Sequence, residues 1–148
     1  MKTKNDIDAI TPLMRKLMDS FHYLARNILR EEDLSLSQYY VLHLIKTGPQ
    51  AQMKNIKNNL CVSGAYATSI IDKLVKKGFI ERYRGKDDRR VVRVKLTDKG
   101  KILIRDLNNK KAQFYTKLLK DMNGKDKKTM SDGLSLLVSS LSRILGKY

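Results

Sequence analysis

Between Gly78 and Thr97 the apolar residues of this chain stop recurring every three or four positions and recur at every second one. That change of period constrains the fold more than any other feature, because the two periods belong to helix and to strand. Ile80, Arg82 and Arg84 alternate with Glu81 and Tyr83, while Val92, Val94 and Leu96 alternate with Val91, Arg93 and Lys95. The polar run Gly85-Lys86-Asp87-Asp88-Arg89-Arg90 lies between them, so the two stretches read as a β-hairpin. The long stretches on either side carry helical periods. The expected fold is mainly α with a small β-hairpin.

The segment before the hairpin carries helix-start and helix-stop signals in close order. Ser35-Leu36-Ser37-Gln38 is a capping box, in which the serine takes a backbone N–H and the glutamine reaches back. A short helix follows with Tyr40, Val41 and Leu44 expected inward, ending at Gly48-Pro49. Met53 to Leu60 reads as a second short helix with Met53, Ile56 and Leu60 on one side. After the tight connection Cys61-Val62, Ser63 caps a third, with Ala67, Ile70, Ile71, Leu74 and Val75 expected inward and Gly78 as its terminator. Two short helices joined by so brief a turn have the form of a helix-turn-helix. Followed at once by a basic hairpin, they make a winged helix.

The flanks are longer. Ile7, Ile10, Met14, Leu17, Phe21, Leu24 and Ile28 form one helical stripe. Thr11 and Pro12 offer a cap and a first helical position, so the main helix is expected to start there, with residues 5–10 a separate turn or arm. Ile104, Leu107, Phe114 and Leu118 form a second stripe after Thr97, a fitting N-cap, and Met130, Leu134, Leu137, Leu141 and Ile144 a third. These stripes exceed what a small central domain can cover, and pairing with a second copy would bury the remainder. The expected organisation is a helical dimerisation region at 1–33 and 97–148 around a winged helix-turn-helix domain at 34–96.

Charge narrows the function. The chain has 31 lysines and arginines against 15 acids. Fifteen of those basic residues, against five acids, lie in residues 53–105, while residues 1–52 hold seven against six. Such concentration suits a polyanionic partner. The chain has no glycine-rich phosphate loop, no nucleophile–base pair in a supporting context and no paired acids at metal spacing, so no enzyme and no cofactor are expected. A single cysteine, no apolar run of bilayer length and no apolar signal core after Met1 point to a cytoplasmic protein without a membrane partner.

The words Leu36-Ser37-Gln38, Leu74-Val75-Lys76-Lys77-Gly78-Phe79-Ile80-Glu81-Arg82, Asp88-Arg89-Arg90 and Leu96-Thr97-Asp98-Lys99-Gly100, in register across residues 36–100, resemble the MarR family of winged-helix transcription regulators. The resemblance implies a homodimer that binds double-stranded DNA at a palindromic operator, most often as a repressor. Many members release DNA when a small aromatic or phenolic acid binds between the dimerising and DNA-binding parts. Three positions depart from the family pattern: Lys57 stands for a small alanine, Gly64 for a proline and Ser69 for an arginine. The rival readings are a nonspecific nucleic-acid-binding winged helix without an effector, and a redox regulator acting through Cys61.

The candidate DNA contacts follow from this placement. Ser63, Ala65, Tyr66 and Ser69 face outward on the third helix, where the first turns approach base edges. Lys54, Lys73 and Lys76 are phosphate candidates. Arg84, Lys86, Arg89 and Arg90 belong to the wing, with Arg89 expected in the minor groove and Arg90 expected to hold the tip through Asp88. Phe21, His22, Tyr39, Tyr40 and His43, with Arg15 or Arg26 for a carboxylate, are the candidates for a ligand cleft between the first, second and post-Thr97 helices. Zinc is not expected: its sensors in this family carry a carboxylate and a histidine where Tyr39 and Tyr40 stand. Cys61 is expected to be a small buried hydrophobe.

Overall fold

The protein is described by a computed structural model over residues 2–48, 51–84 and 91–146. Lys2–Arg30 forms α1, Leu36–Thr47 α2, Ala51–Gln52 the short strand β1, Met53–Leu60 α3 and Gly64–Lys76 α4. Ile80–Arg84 and Val92–Leu96 are strands β2 and β3, and Asp98–Leu119 and Gly124–Leu145 are helices α5 and α6. The chain divides into two units, Met1–Asn109 and Lys110–Tyr148, with the boundary inside α5.

In the first unit α1 runs unbroken through Thr11-Pro12, so the helix does not start there and residues 5–10 are not a separate arm. A proline in a helix interior deletes a hydrogen bond and costs about 3 kcal/mol. Here the apolar stripe stays in phase across it, so Ile7 and Ile10 continue the face of Met14 and Leu17. Only the end of α1 reaches the core, through buried Leu29 and partly buried Ile28.

The capping box of α2 is closed in both directions: the Gln38 N–H donates to Ser35 Oγ at 3.2 Å and the Ser35 N–H to Gln38 Oε1 at 2.9 Å. That bond lets Gln38 be buried, which turns the helix so that Gln38, Val41, Leu42 and Ile45 face the core. Tyr40, expected inward, lies on the opposite side and is exposed, and Leu44 is half-buried on the flank. Val75 of α4 is likewise exposed, one step beyond the buried stripe Ala67, Ile70, Ile71 and Leu74.

The hairpin pairs Ile80 with Leu96 at its base and Arg84 with Val92 near its tip. A third strand, β1, was not legible: two residues cannot show a period, yet Ala51 and Gln52 pair with Val94 and Arg93 to give the order β1-β3-β2. Ile80 and Val94 are buried while Val92 is exposed, so the apolar face is covered at the base and bare toward the tip. Leu103, Ile104 and Leu107 of α5 join the same core.

The hairpin base is locked to α5 by one residue. Thr97 Oγ1 donates to the Gly78 carbonyl at 2.6 Å and accepts from the Gly100 N–H at 3.1 Å, so Thr97 does cap α5. The Thr97 N–H donates to the Phe79 carbonyl at 3.1 Å. Gly78 ends the α4 segment at φ +73°. Gly100 is buried so close to the Phe79 backbone that a Cβ would stand 2.0 Å from the Phe79 oxygen.

In the second unit, Asn123 Oδ1 caps α6 by accepting from the Asp126 N–H at 2.9 Å, and Gly146 ends the helix at φ +61°. Leu134, Leu136, Val138, Leu141 and Ile144 are all exposed.

Urea unfolding followed by circular dichroism checks the joint. Gly100→Ala should lower stability by about 1–3 kcal/mol through forced overlap with the Phe79 backbone. Gly78→Ala meets no crowding and should lose about 1–2 kcal/mol from its left-handed backbone alone. An unchanged midpoint for Gly100→Ala would show that α5 is not seated on Phe79.

Candidate nucleic-acid interface

The turn between α3 and α4 is made by Cys61, which caps α3 in the left-handed conformation at φ +52°. Its side chain is exposed, against the expectation of a buried hydrophobe. The physical reason is the turn itself, which carries position 61 away from the face on which Ile56 is buried. Ser63 then caps α4 by accepting the Tyr66 N–H at 3.2 Å. Because Ala67, Ile70, Ile71 and Leu74 take the inner face, the first turn is left in solvent: Ser63, Gly64, Ala65 and Tyr66 are all exposed. Ser69 is half-buried, and Lys73 and Lys76 are exposed further along. Thr68 is exposed on the same side, three residues from Ala65. That helical spacing is the sequence signal that marks Thr68 as a further candidate contact. Lys57 is exposed, and its aliphatic stem runs past Gly64, where a Cβ would touch its Cδ at an ordinary 4.0 Å.

The acids sort the basic side chains into two groups, which the sequence could not show. Arg82 on β2 pairs with Asp72 of α4 at 2.5 Å, offsetting the negative charge on the outer face of α4. Lys95 pairs with Glu81 at 2.9 Å across the hairpin, and that hydrogen bond holds its ammonium above the ordinary lysine value. Lys101 pairs with Asp98 at 2.9 Å, and the bond holds the Asp98 carboxyl below its usual value. Lys77 pairs with Asp33 at 2.8 Å, and the bond holds that carboxyl down in the same way. Lys54, Lys73, Lys76 and Arg84 are exposed and have no acidic partner among the described residues. These four are the described basic residues nominated above. Lys86, Arg89 and Arg90, with Asp88, lie outside the described residues.

The ligand candidates are divided. A groove of about 780 Å³ beside the end of α1 is lined by His22, Arg26, Arg30, Asp33 and Ser35 among others, and so brings together two of the seven nominees. Arg15 and Phe21 lie exposed on α1 and do not line it. Tyr39, Tyr40 and His43 form an aromatic run along α2 instead, with ring centroids 5.9 Å apart for Tyr39–Tyr40 and 6.2 Å for the stacked Tyr39–His43 pair. Arg30, absent from the nominations, lines the groove only because the helix continues to it. No group of three His, Cys, Asp or Glu side chains among the described residues could hold a metal ion. No helix among them is long and apolar enough to cross a membrane.

A capped, outward-facing helix beside a basic strand pair, with the opposing acids engaged elsewhere, defines a winged-helix DNA-binding protein. Comparison with known proteins gives the family. Residues 34–92 match the MarR family model. The chain is 30% identical over 109 residues to the HTH-type transcriptional regulator YfiV of Bacillus subtilis, covering 74% of this chain and 68% of that protein. Wild-type MarR of E. coli in its apo form superposes with a TM-score of 0.74 at 25% identity, over 86% of this chain and 94% of that one. FabT of Streptococcus pneumoniae in complex with DNA superposes with a TM-score of 0.82 at 24% identity, over 93% and 98%. The chain belongs to the MarR family. It is a DNA-binding transcription regulator and not an enzyme.

Proposed function

We propose that the protein is a homodimeric repressor of a palindromic operator, released by a small aromatic or phenolic acid. The observation that carries the DNA-reading part is the outer face of α4. Its first turn holds small and polar groups free in solvent, where a recognition helix meets base edges. Ala65 would meet a thymine methyl, Ser63 and Ser69 would take donor or acceptor edges, and Tyr66 would touch base or phosphate. Lys54 on α3, and Lys73 and Lys76 in the last turn of α4, would hold phosphates, fixing register without reading sequence. Arg84 leads from β2 toward the wing loop, where Arg89 is assigned to the minor groove and Lys86 to phosphate, with Arg90 steadying the tip through Asp88.

Two further observations support the rest. Large apolar side chains stand in solvent along α1 and α6, with Leu13 at 68% and Ile144 at 79% exposure, which a second copy would cover. The groove beside α1 has the size of a small-molecule site, about 300–1,000 Å³. It offers Arg26, Arg30 and His22 to a carboxylate and Leu29, Leu34 and Leu36 to a ring. The effector would act by favouring one spacing of the two winged domains, since a ligand shifts only states it binds unequally.

Fluorescence anisotropy on the gene's upstream intergenic duplex and a scrambled duplex tests the DNA reading. The native duplex should win by ~10³-fold or more. Lys73→Ala and Lys76→Ala should each reduce the slope of log affinity against log salt by about 0.9 without changing the preferred sequence. Equal affinity for both duplexes would leave a nonspecific binder. Sedimentation equilibrium should give a dimer for the native chain and monomer for the pair Ile10→Glu and Leu141→Glu; a native monomer would overturn the dimer. Titration calorimetry with salicylate should give heat at millimolar concentration that Arg26→Ala abolishes, and no heat would count against the effector site.

A further inference from the structure

We propose that Asp33 and Lys77 are positioning residues for DNA binding: the turn after α1 captures the lysine that caps α4 and thereby sets the pose of the recognition helix. The inference rests on the reading of α4 given above. Lys77 is the C-cap of α4, and its Nζ donates both to the backbone carbonyl of Asp33 and to Asp33 Oδ2, the latter at 2.8 Å. Its side chain is only 28% exposed, while that of Asp33 is 98% exposed, so the lysine is folded back against the protein and the carboxylate comes out to meet it. Of the three lysines at 73, 76 and 77, which sequence alone cannot tell apart, Lys77 is thus turned away from the outer face.

The backbone of Asp33 is the second observation. It sits at φ +50°, in the left-handed region. The Leu34 N–H donates to the Leu29 carbonyl at 3.0 Å, which makes Asp33 the residue that terminates α1 in a Schellman-type turn. That position ordinarily belongs to glycine, because a side chain there costs about 1–2 kcal/mol. Glycine would relax the turn but could offer no carboxylate. An exposed ion pair adds little to stability, so the aspartate is explained better by where it holds Lys77 than by the energy of holding it.

The capture acts with two others on α4. Lys99 of α5 donates to the Lys77 carbonyl at 3.0 Å, and Arg82 of β2 holds Asp72. Asp33 alone of these residues also lines the groove beside α1. It therefore joins that groove to the end of the recognition helix.

The test sets Asp33→Gly, Asp33→Asn and Lys77→Met beside Lys73→Ala and Lys76→Ala, with urea midpoints and anisotropy on the preferred duplex across a salt series. Asp33→Gly should keep or raise the unfolding midpoint while weakening DNA binding about 3- to 30-fold, with the salt slope unchanged. Lys77→Met, which loses the bond to the Asp33 backbone carbonyl as well, should weaken binding at least as much at the same slope. Asp33→Asn, which can still accept from Lys77, should recover part of the loss. Native affinity in both Asp33→Gly and Lys77→Met overturns the proposal. So does a slope reduced by about 0.9 in Lys77→Met with Asp33→Gly silent, since Lys77 would then be a phosphate contact. If neither Lys73→Ala nor Lys76→Ala lowers the slope, the reading of α4 itself fails and takes the role of Asp33 with it.

Discussion

The hydroxyl of Thr97 is the contact on which the arrangement of the first unit depends. It donates to the carbonyl of Gly78 and accepts from the N–H of Gly100, so one side chain closes the end of the α4 segment, the base of the hairpin and the start of α5. The surrounding residues make that possible. Gly78 adopts a positive φ that turns the chain out of α4, and Gly100 lacks the Cβ that would collide with Phe79. Buried Phe79 and Ile80 then anchor the hairpin in the core, while Leu103, Ile104 and Leu107 carry α5 along it. A wing is a lever, and its direction is set at its base. The unit holds that base with hydrogen bonds and buried backbone.

Charge is managed by the same economy. A strongly basic chain repels itself, and acids placed at random would cancel the field that attracts DNA. Here Asp72, Glu81, Asp98 and Asp33 are each engaged by a cation that braces an element: Arg82, Lys95, Lys101 and Lys77. Lys99 braces without an acid, its ammonium 4.8 Å from the centre of the Phe79 ring and bonded to the Lys77 carbonyl. Lys54, Lys73, Lys76 and Arg84, on α3, α4 and β2, are among the cations left exposed without an acidic partner among the described residues.

Most of the fold was legible because its signals are local. Caps at Ser35, Ser63 and Thr97, terminators at Gly48 and Gly78, and the change of period all act within a turn or two of themselves. The misses share a different cause. Burial of Gln38 turned α2 by half a face and put Tyr40 in solvent, because a capping bond makes glutamine tolerable inside. Strand β1 exists only through its pairing with β3, and the helix through Pro12 only because both sides share one stripe. For the site, types and positions on α4 could be read from spacing. Which lysine faces outward could not, because Lys77 is withdrawn by a residue 44 positions away.

The distribution of charge also bears on how two such chains would meet. The middle of the chain holds fifteen cations against five acids and repels a second copy strongly, whereas the first 52 residues are nearly balanced at seven against six. The exposed apolar stripe of α1, from Ile7 through Phe21, lies within that balanced stretch. Burying apolar surface there would meet little opposing charge, and a screening length of about 8 Å at physiological salt would hide most of the repulsion from regions held further apart. In the proposed dimer, α1 is therefore the face on which association would meet the least opposing charge. The charge that would oppose such a dimer in isolation is the same charge that attracts a polyanion, so DNA would offset the repulsion.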